Sequence, residues 1–310
     1  MRILVTGSLG TLGRPLVAEL RDRGHEVWGS DLTHHGDPQH IRADVANFPQ
    51  LQRAFEAARP DAVYHLAAEF GRLNGEQFTE QLWRSAMVGT RNVLELCDAH
   101  DAHLLFASSS EVYGEAEADL LDEELTEREV IFHPNEYAIS KWANERQILA
   151  FREWNPDLRA TRLRFFNAYG PGEPYHPYRS VVALFCAKAL AGEPLPVFRG
   201  YHRTFMYIDD FIPTLANVCQ ADLSYDVYNI GGTDFRSVED LARIVNTEVA
   251  DGQGEIELIP EDLHNVRSKR PDITRAREDL GHDPRVTLEE GVPPTAEWMR
   301  GVHAGALGNT

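Results

Sequence analysis

The stretch "EYAISK" sets Tyr137 and Lys141 four residues apart, which places both side chains on one face if the segment is helical. An ammonium beside a phenol favours the phenolate and lowers a tyrosine pKa that otherwise lies near about 10. Tyr137 is thereby a candidate general base and Lys141 the cation that tunes it. Upstream, the apolar run "HLLFAS" closes in "SSSEVYG", where Ser109 and Glu111 stand two apart. In an extended chain these two side chains point to one side, so a Ser109 hydroxyl aimed at a substrate oxygen brings the Glu111 carboxylate with it. Hydroxyl, phenol and ammonium suit the removal of a proton from an alcohol, and the carboxylate suits a second proton transfer. The same residue types also occur as a surface tyrosine lying over a lysine stem and a glutamate turned to a loop donor, so the rest of the chain has to decide.

"VTGSLGTLG" puts Gly7, Gly10 and Gly13 where the first apolar run gives way to a helical pattern. Glycine there lets the backbone approach a pyrophosphate, whose charge is favoured by the unpaired N–H groups of a helix N-terminus. The spacing is GxxGxxG, whereas the usual dinucleotide fingerprint is GxGxxG, and a tight turn alone would also use it. The second apolar run, "HEVWGSD", ends in Asp31, at the offset where an acid accepts hydrogen bonds from the adenosine ribose. An ionised Asp31 would repel a 2′-phosphate, and no arginine follows before Arg42. The expected cofactor is NAD, in preference to NADP.

These residues need a scaffold, and the hydrophobic pattern supplies one. "RILV", "HEVWGS", "AVYHLA", "HLLFAS" and "RATRLRFF" read as buried strands, separated by helical stretches at 11–23, 49–58, 76–100 and 137–154. That alternation predicts an α/β fold, a doubly wound parallel sheet over residues 1–166 with return segments at about 205–233. Residues 167–204 and 234–310, looser and rich in Pro and Gly at first and then helical near 237–249 and 288–300, predict a smaller substrate-binding lobe across the mouth of the sheet; a further helix is expected at 209–220. At 310 residues and 43% hydrophobic content the chain can bury a sizeable core. A net charge of -19 argues against general attraction to nucleic acid or anionic membranes. Cys97, Cys186 and Cys219 have no metal-ligand spacing, so reduced thiols and no metal site are expected. The chain opens directly into "RILVTG" and holds no long apolar run, which predicts a cytoplasmic protein. Only Lys141, Lys188 and Lys269 are lysines; arginine fills the other basic positions.

Taken in order, "TGSLGTLG", Asp31, "ADV", "HLAA", "SSSEVYG", "YAISK", "RFFNAYGPG", "RTFMYIDD", "NIGG" and "RPDITRAREDLG" resemble the extended short-chain dehydrogenase/reductases, and within them the nucleotide-sugar epimerases, dehydratases and decarboxylases. The resemblance runs along nearly the whole chain. It implies that Ser109 assists Tyr137, that Lys141 also holds the nicotinamide ribose, and that Asp44, with Val45 beside it, meets the adenine. It further implies that Ser110, Asn167, Arg203 and Arg270 hold the nucleotide-sugar, with a solvated surface position as the alternative for each arginine. Arg164, inside a strand, reads equally well as structural.

In such enzymes the tyrosine takes the proton of the sugar 4-hydroxyl while hydride passes to NAD, and the 4-keto sugar either accepts hydride on its other face or loses a group. Epimerisation at C4 is placed first, as the commoner outcome in the family. The alternative is dehydration or decarboxylation assisted by Glu111, because members with those activities often carry Ser-Glu, Asp-Glu or Cys-Glu at the positions of Ser110 and Glu111. "RPDITRAREDLGHDPRVTLEEG" also looks somewhat like the decarboxylases, whereas "YAISK" lacks the altered tyrosine segment of many of them. A catalytically silent NAD-binding sensor or scaffold is a further reading, against which Ser109, Tyr137 and Lys141 stand intact. A small-alcohol dehydrogenase is the last, disfavoured by the long second lobe. "FTEQLWRSAMVGTRNVLELC" and the Tyr137 helix carry wide apolar faces, and the resemblance implies that they pair in a homodimer.

Overall fold

Consecutive residues of the first strand enter different cores. In β1 (Arg2–Thr6), Ile3 and Val5 pack with Leu16, Tyr64 and Leu105, while Leu4 packs on the opposite face with Phe55, Val63 and Phe106. Strand side chains alternate, so a run that is apolar at every position is one covered on both faces. Burying each such side chain is worth about 1.5–3 kcal/mol. The computed structural model from which this follows describes residues 1–69, 71–116, 118–177, 179–260 and 265–307, the last five of them as backbone alone.

β2 (Glu26–Asp31), β3 (His40–Arg42), β4 (Ala62–His65), β5 (His103–Ser109) and β6 (Ala160–Phe165) extend the sheet. β7 (Ala168–Tyr169), β8 (Leu195–Phe198) and β9 (His202–Tyr207) leave it, and β10 (Val227–Ile230) returns to its edge. The large sheet has seven strands in the order β3-β2-β1-β4-β5-β6-β10, every pair parallel. Helices Gly13–Asp22 and Ile208–Asn217 pack together on one face, and Phe48–Ala58 and Thr90–His100 on the other. This is the doubly wound, Rossmann-type α/β arrangement expected from the run-and-helix alternation.

The rest of the chain builds a second layer with β11 (Asp234–Ser237), β12 (Ile256–Ile259) and β13 (Ser268–Lys269). β9 is its centre, antiparallel to β11 and parallel to β13 and β7, while β8 pairs with β12. Helices Val181–Ala191, Val238–Ala250 and Leu288–Leu307 pack against one another beside it. Phe205–Tyr207 are held by their pairing in the small sheet, after which helix Ile208–Asn217 and β10 lead back to the large one.

The helix expected over 76–100 is broken. Arg72–Gln77 and Thr79–Trp83 are short α-helical pieces, Arg84–Gly89 is a π-helical segment and Thr90–His100 is regular. A π turn frees backbone carbonyls, and here the neighbouring helix Glu136–Trp154 takes them up. Asn144 Nδ2 donates to Ala86 O at 2.9 Å and Gln147 Nε2 to Met87 O at 3.1 Å. Among the described residues no helix is long and apolar enough to cross a membrane, and no group of three His, Cys, Asp or Glu could hold a metal ion. The three cysteines are free and buried.

Candidate active site

The glycines of the first turn are required by space. Gly7 has φ +72°, and a Cβ on it would lie 2.8 Å from Ala67 N; one on Gly13 would lie 2.1 Å from Gly7 O. Gly10 N donates to Gly7 O at 3.1 Å, closing the turn. Across from it, Asp31 Oδ2 accepts from Leu9 N at 3.0 Å and Oδ1 from Leu32 N at 2.8 Å, which fixes the carboxylate at the end of β2. Each oxygen keeps further acceptor capacity. Gly10, Asp31, Asp44, Val45, Tyr137 and Lys141 line one cleft. Asp44 Oδ1 accepts from Ala46 N at 2.8 Å, and Val45 O from Asn92 Nδ2 at 2.8 Å, so both residues are set by local bonds.

Arg179, which the sequence did not single out, lines the same cleft. Its Nη1 lies 3.5 Å from Thr11 Oγ1 in the glycine turn, 168 residues away. Beside it, Glu173 is buried and accepts from Ser180 N at 3.0 Å and Ser180 Oγ at 2.7 Å, anchoring the loop that delivers the arginine. An arginine after a Pro-rich stretch carries no local signal of such a reach.

Tyr137 sits in the first turn of helix Glu136–Trp154, which Asn135 caps through its Oδ1 and Ala138 N at 2.9 Å. Ser109 ends β5, and its hydroxyl lies close enough to Tyr137 to favour the phenolate. Lys141 is buried; its Nζ donates to Ala107 O at 2.7 Å and lies 5.9 Å from the Tyr137 ring centroid. The expected lowering of the tyrosine pKa does not appear: Tyr137 is pushed up to about 12. Burial is the main cause, Ser109 offsets part of it and the Glu111 charge adds to it. Burial also brings Lys141 down to about 8, against the pull of Glu145. The ammonium is turned to a carbonyl, and the phenol loses more from leaving water than it gains from its neighbours.

Behind this pair lies a buried ionic cluster. Arg164 is fully buried; its Nε donates to Glu145 Oε1 at 2.9 Å, Nη2 to Glu145 Oε2 at 2.7 Å and Nη1 to Tyr113 Oη at 2.9 Å. Arg164 is therefore structural. Removing one partner of such a pair leaves an uncompensated buried charge and typically costs about 3–5 kcal/mol.

Glu111 does not lie on an extended segment. The strand stops at Ser109, whose Oγ accepts from Glu111 N at 3.2 Å and caps a 3₁₀ turn over Ser110–Tyr113. Shared facing along a strand therefore does not apply, and tertiary contacts orient the carboxylate. Glu111 forms an ion pair with the buried Lys269 of β13. Burial opposes its charge, but Lys269 first, then Arg203 and Arg72, outweigh that and hold the carboxyl below its usual range. Lys269 is itself brought down to about 8 by burial, in spite of Glu111.

The structure places the remaining sequence-predicted residues unevenly. Ser110 is buried in the 3₁₀ turn. Asn167 has φ +38°, and its Nδ2 donates to Thr204 O at 3.0 Å. Arg203 is buried, and both terminal nitrogens are engaged: Nη1 donates to His202 O at 2.8 Å and Arg267 O at 3.1 Å, Nη2 to Asn265 Oδ1 at 2.9 Å and Val266 O at 2.5 Å. Its fork orders the 265–267 segment, and its charge reaches Glu111. Arg270 is exposed, 5.6 Å from the Phe235 ring centroid. Lys269, next to it, was not expected in the site; the only sequence signal was the scarcity of lysine.

The Rossmann sheet thus carries a glycine turn after β1, an acid at the end of β2, Ser109 at the end of β5 and the Tyr137–Lys141 pair on the helix Glu136–Trp154. The chain belongs to the NAD dependent epimerase/dehydratase family, whose model matches residues 3–231. It is 31% identical over 310 residues to UDP-glucuronic acid decarboxylase 1 of Xenopus tropicalis, covering 96% of this chain and 72% of that one. The UDP-glucose 4-epimerase of Thermotoga maritima, solved with UDP-glucose, superposes with a TM-score of 0.86 at 28% identity, covering 98% of this chain and 100% of that one. MoeE5 in complex with UDP-glucuronic acid and NAD superposes with a TM-score of 0.82 at 27% identity, covering 97% and 100%.

Proposed function

We propose that this protein is an enzyme that uses NAD to oxidise C4 of a UDP-sugar transiently. Epimerisation at C4 is the first reading, because it needs only Ser109, Tyr137 and Lys141. The observation that carries it is that Tyr137 and buried Lys141 line the same cleft as the glycine turn, with Ser109 at the end of β5 near enough to Tyr137 to favour its phenolate. The residues present fit NAD. The crowding around Gly7 and Gly13 keeps the turn tight enough for backbone N–H groups to meet a diphosphate, Arg179 is delivered to the same turn, and Asp31 keeps lone pairs for ribose hydroxyls. When bound, NAD supplies the acceptor and donor of hydride at C4. Tyr137 moves the proton at O4, Ser109 orients that oxygen, and the Lys141 charge stabilises the phenolate while the proton is in transit.

A second reading, decarboxylation of a UDP-uronate, is favoured by the Glu111–Lys269 ion pair next to Ser109, a feature a simple 4-epimerase does not need. The similarity to a UDP-glucuronic acid decarboxylase supports it too. Incubation of the purified protein with UDP-glucose, UDP-glucuronic acid and the corresponding dTDP-, GDP- and CDP-sugars, followed by product mass and stereochemistry, tests both. Absence of any C4-altered or shortened product would reject the enzymatic reading. In this scheme the large-sheet unit holds the cofactor and the β9-centred layer, with residues such as Asn167 and Arg270, holds the nucleotide-sugar. The three free, buried thiols suit a reducing compartment such as the cytoplasm.

Asp31→Ala is expected to weaken NAD binding roughly 10-fold or more, since a hydrogen bond to a charged group is worth about 1.5–3 kcal/mol. Calorimetric titration checks it, and the unaltered protein should bind NAD more tightly than NADP; the reverse order would remove Asp31 from the ribose.

A homodimer is expected through the π-helical segment and the Tyr137 helix, where Val88 is 46% and Trp142 38% exposed. Light scattering should give twice the 34.9 kDa chain mass, and Val88→Glu should shift it toward the monomer. A monomer at all concentrations for the unaltered protein would contradict this assembly.

A further inference from the structure

Among the described residues the charged groups lining the cofactor cleft are Asp31, Asp44, Lys141, Arg179 and Glu69. All but Glu69 have a task under the NAD reading. Strand order places it. The sheet runs β2-β1-β4-β5, so Asp31 at the end of β2, the glycine turn after β1, the segment after β4 and Ser109 at the end of β5 stand in that order along one edge. A dinucleotide with its adenosine ribose at Asp31 and its diphosphate at the glycine turn lays its nicotinamide half over the segment after β4. Chemistry demands the same placement: the O4 proton goes to Tyr137 and the hydride leaves from C4, the adjoining atom, so the accepting ring lies beside Tyr137. The segment after β4 touches the turn, since a Cβ on Gly7 would lie 2.8 Å from Ala67 N, and it reaches Glu69 two residues later. Glu69 is fixed there. Its backbone N–H donates to Ser85 Oγ at 3.4 Å, and its Oε2 accepts from Nδ2 of buried Asn74 at 2.9 Å. Gly75, next to Asn74, packs on the Tyr137 helix, where a Cβ on it would lie 3.5 Å from Tyr137 Cβ. Among the described residues nothing donates to Glu69 Oε1.

We propose that Glu69 biases the bound cofactor toward its oxidised form. The proposal rests on the reading of NAD-dependent C4 oxidation and names a residue that tunes it. The nicotinamide ring is a cation when oxidised and neutral once it holds the hydride, because the added electron pair cancels the ring charge. A carboxylate held at the nicotinamide half therefore stabilises NAD and does nothing comparable for NADH, while the opposite charge of Lys141 acts the other way. Asp31, Asp44 and Arg179 stand at the adenosine and diphosphate, which are the same in both forms, so they do not discriminate. Asn74 keeps one carboxylate oxygen tied, and the charge stays with the ring. The bias has a consequence for the reaction. An enzyme that holds a hydride only in passing has to return it to the sugar, and a site that favours NAD over NADH drives that return before the 4-keto sugar leaves.

The test reads bound cofactor and not turnover. The full-length protein is dialysed to equilibrium against equal amounts of NAD and NADH, and both forms are counted on each side by chromatography. The ratio of bound NAD to bound NADH is then the inverse ratio of their dissociation constants. Glu69→Gln keeps the size of the side chain, and its amide oxygen can still accept from Asn74. It should lower that ratio roughly 10-fold relative to the unaltered protein, the effect of one charge several ångströms away across a partly solvated cleft. Glu69→Ala should lower it as much, and circular dichroism identifies whichever variant folds. Glu69→Asp, which keeps the charge, should hold the ratio within a few-fold of the unaltered protein. An unchanged ratio in Glu69→Gln, including equal loss of both forms, overturns this proposal alone and makes Glu69 a grip on the ribose or the loop. A ratio lowered as far in Glu69→Asp as in Glu69→Gln assigns the effect to shape and overturns it too. Failure of the unaltered protein to bind either form overturns the NAD reading and this proposal together.

Discussion

Tyr137→Phe is expected to lower C4 oxidation by about 10²- to 10⁴-fold, the range for loss of a positioned acid–base group. The substitution removes one oxygen, the atom that Ser109 would support as a phenolate, while the ring that lines the cleft remains. NAD should therefore stay bound, which separates lost chemistry from lost cofactor. Since Tyr137 is pushed up to about 12, the phenol is protonated at neutral pH, and oxidation by the unaltered protein should rise with pH as the phenolate fraction grows. Tyr137→Phe should lose that rise together with the rate. Stopped-flow absorbance of reduced nicotinamide reads both quantities, and turnover of a true substrate at the normal rate would show that the site lies elsewhere.

Glu111→Gln should affect two probes differently. The swap keeps the size of the side chain and removes a negative charge that raises the Tyr137 pKa, so the pH at which oxidation appears should move down. With UDP-glucose, C4 epimerisation uses Tyr137 alone for its proton, and turnover should stay within a few-fold. With UDP-glucuronic acid, the variant should still oxidise C4 but stall, accumulating reduced nicotinamide and a 4-keto sugar, with product formation down by roughly 10²-fold or more. The loss has a physical source: Gln has no proton to exchange, and buried Lys269 is left without its counter-charge. Unchanged product formation from UDP-glucuronic acid, with no trapped intermediate, would make Glu111 a strut between the two sheets and leave 4-epimerisation as the surviving reading.

What the amino-acid sequence determined by itself is local. Apolar runs without alternation can be satisfied only by strands covered on both faces, so the parallel sheet was legible in "RILV" and "HLLFAS". The four-residue spacing of Tyr137 and Lys141 and the glycines of the first turn likewise act within one element, where backbone geometry dictates the neighbours. Tertiary structure decided the rest. Ser109 and Glu111 were expected to share a face along an extended chain, but the Ser109 hydroxyl caps a 3₁₀ turn, and Lys269, 158 residues away, holds the carboxylate. Arg203 was expected to reach the nucleotide-sugar, yet the carbonyls of the 265–267 segment occupy its fork. Even the Tyr137 pKa moved against its helix neighbour, because burial outweighs an ammonium that is bonded to Ala107 O. Spacing states which groups one element presents, whereas charge pairing and desolvation depend on which other elements close over them.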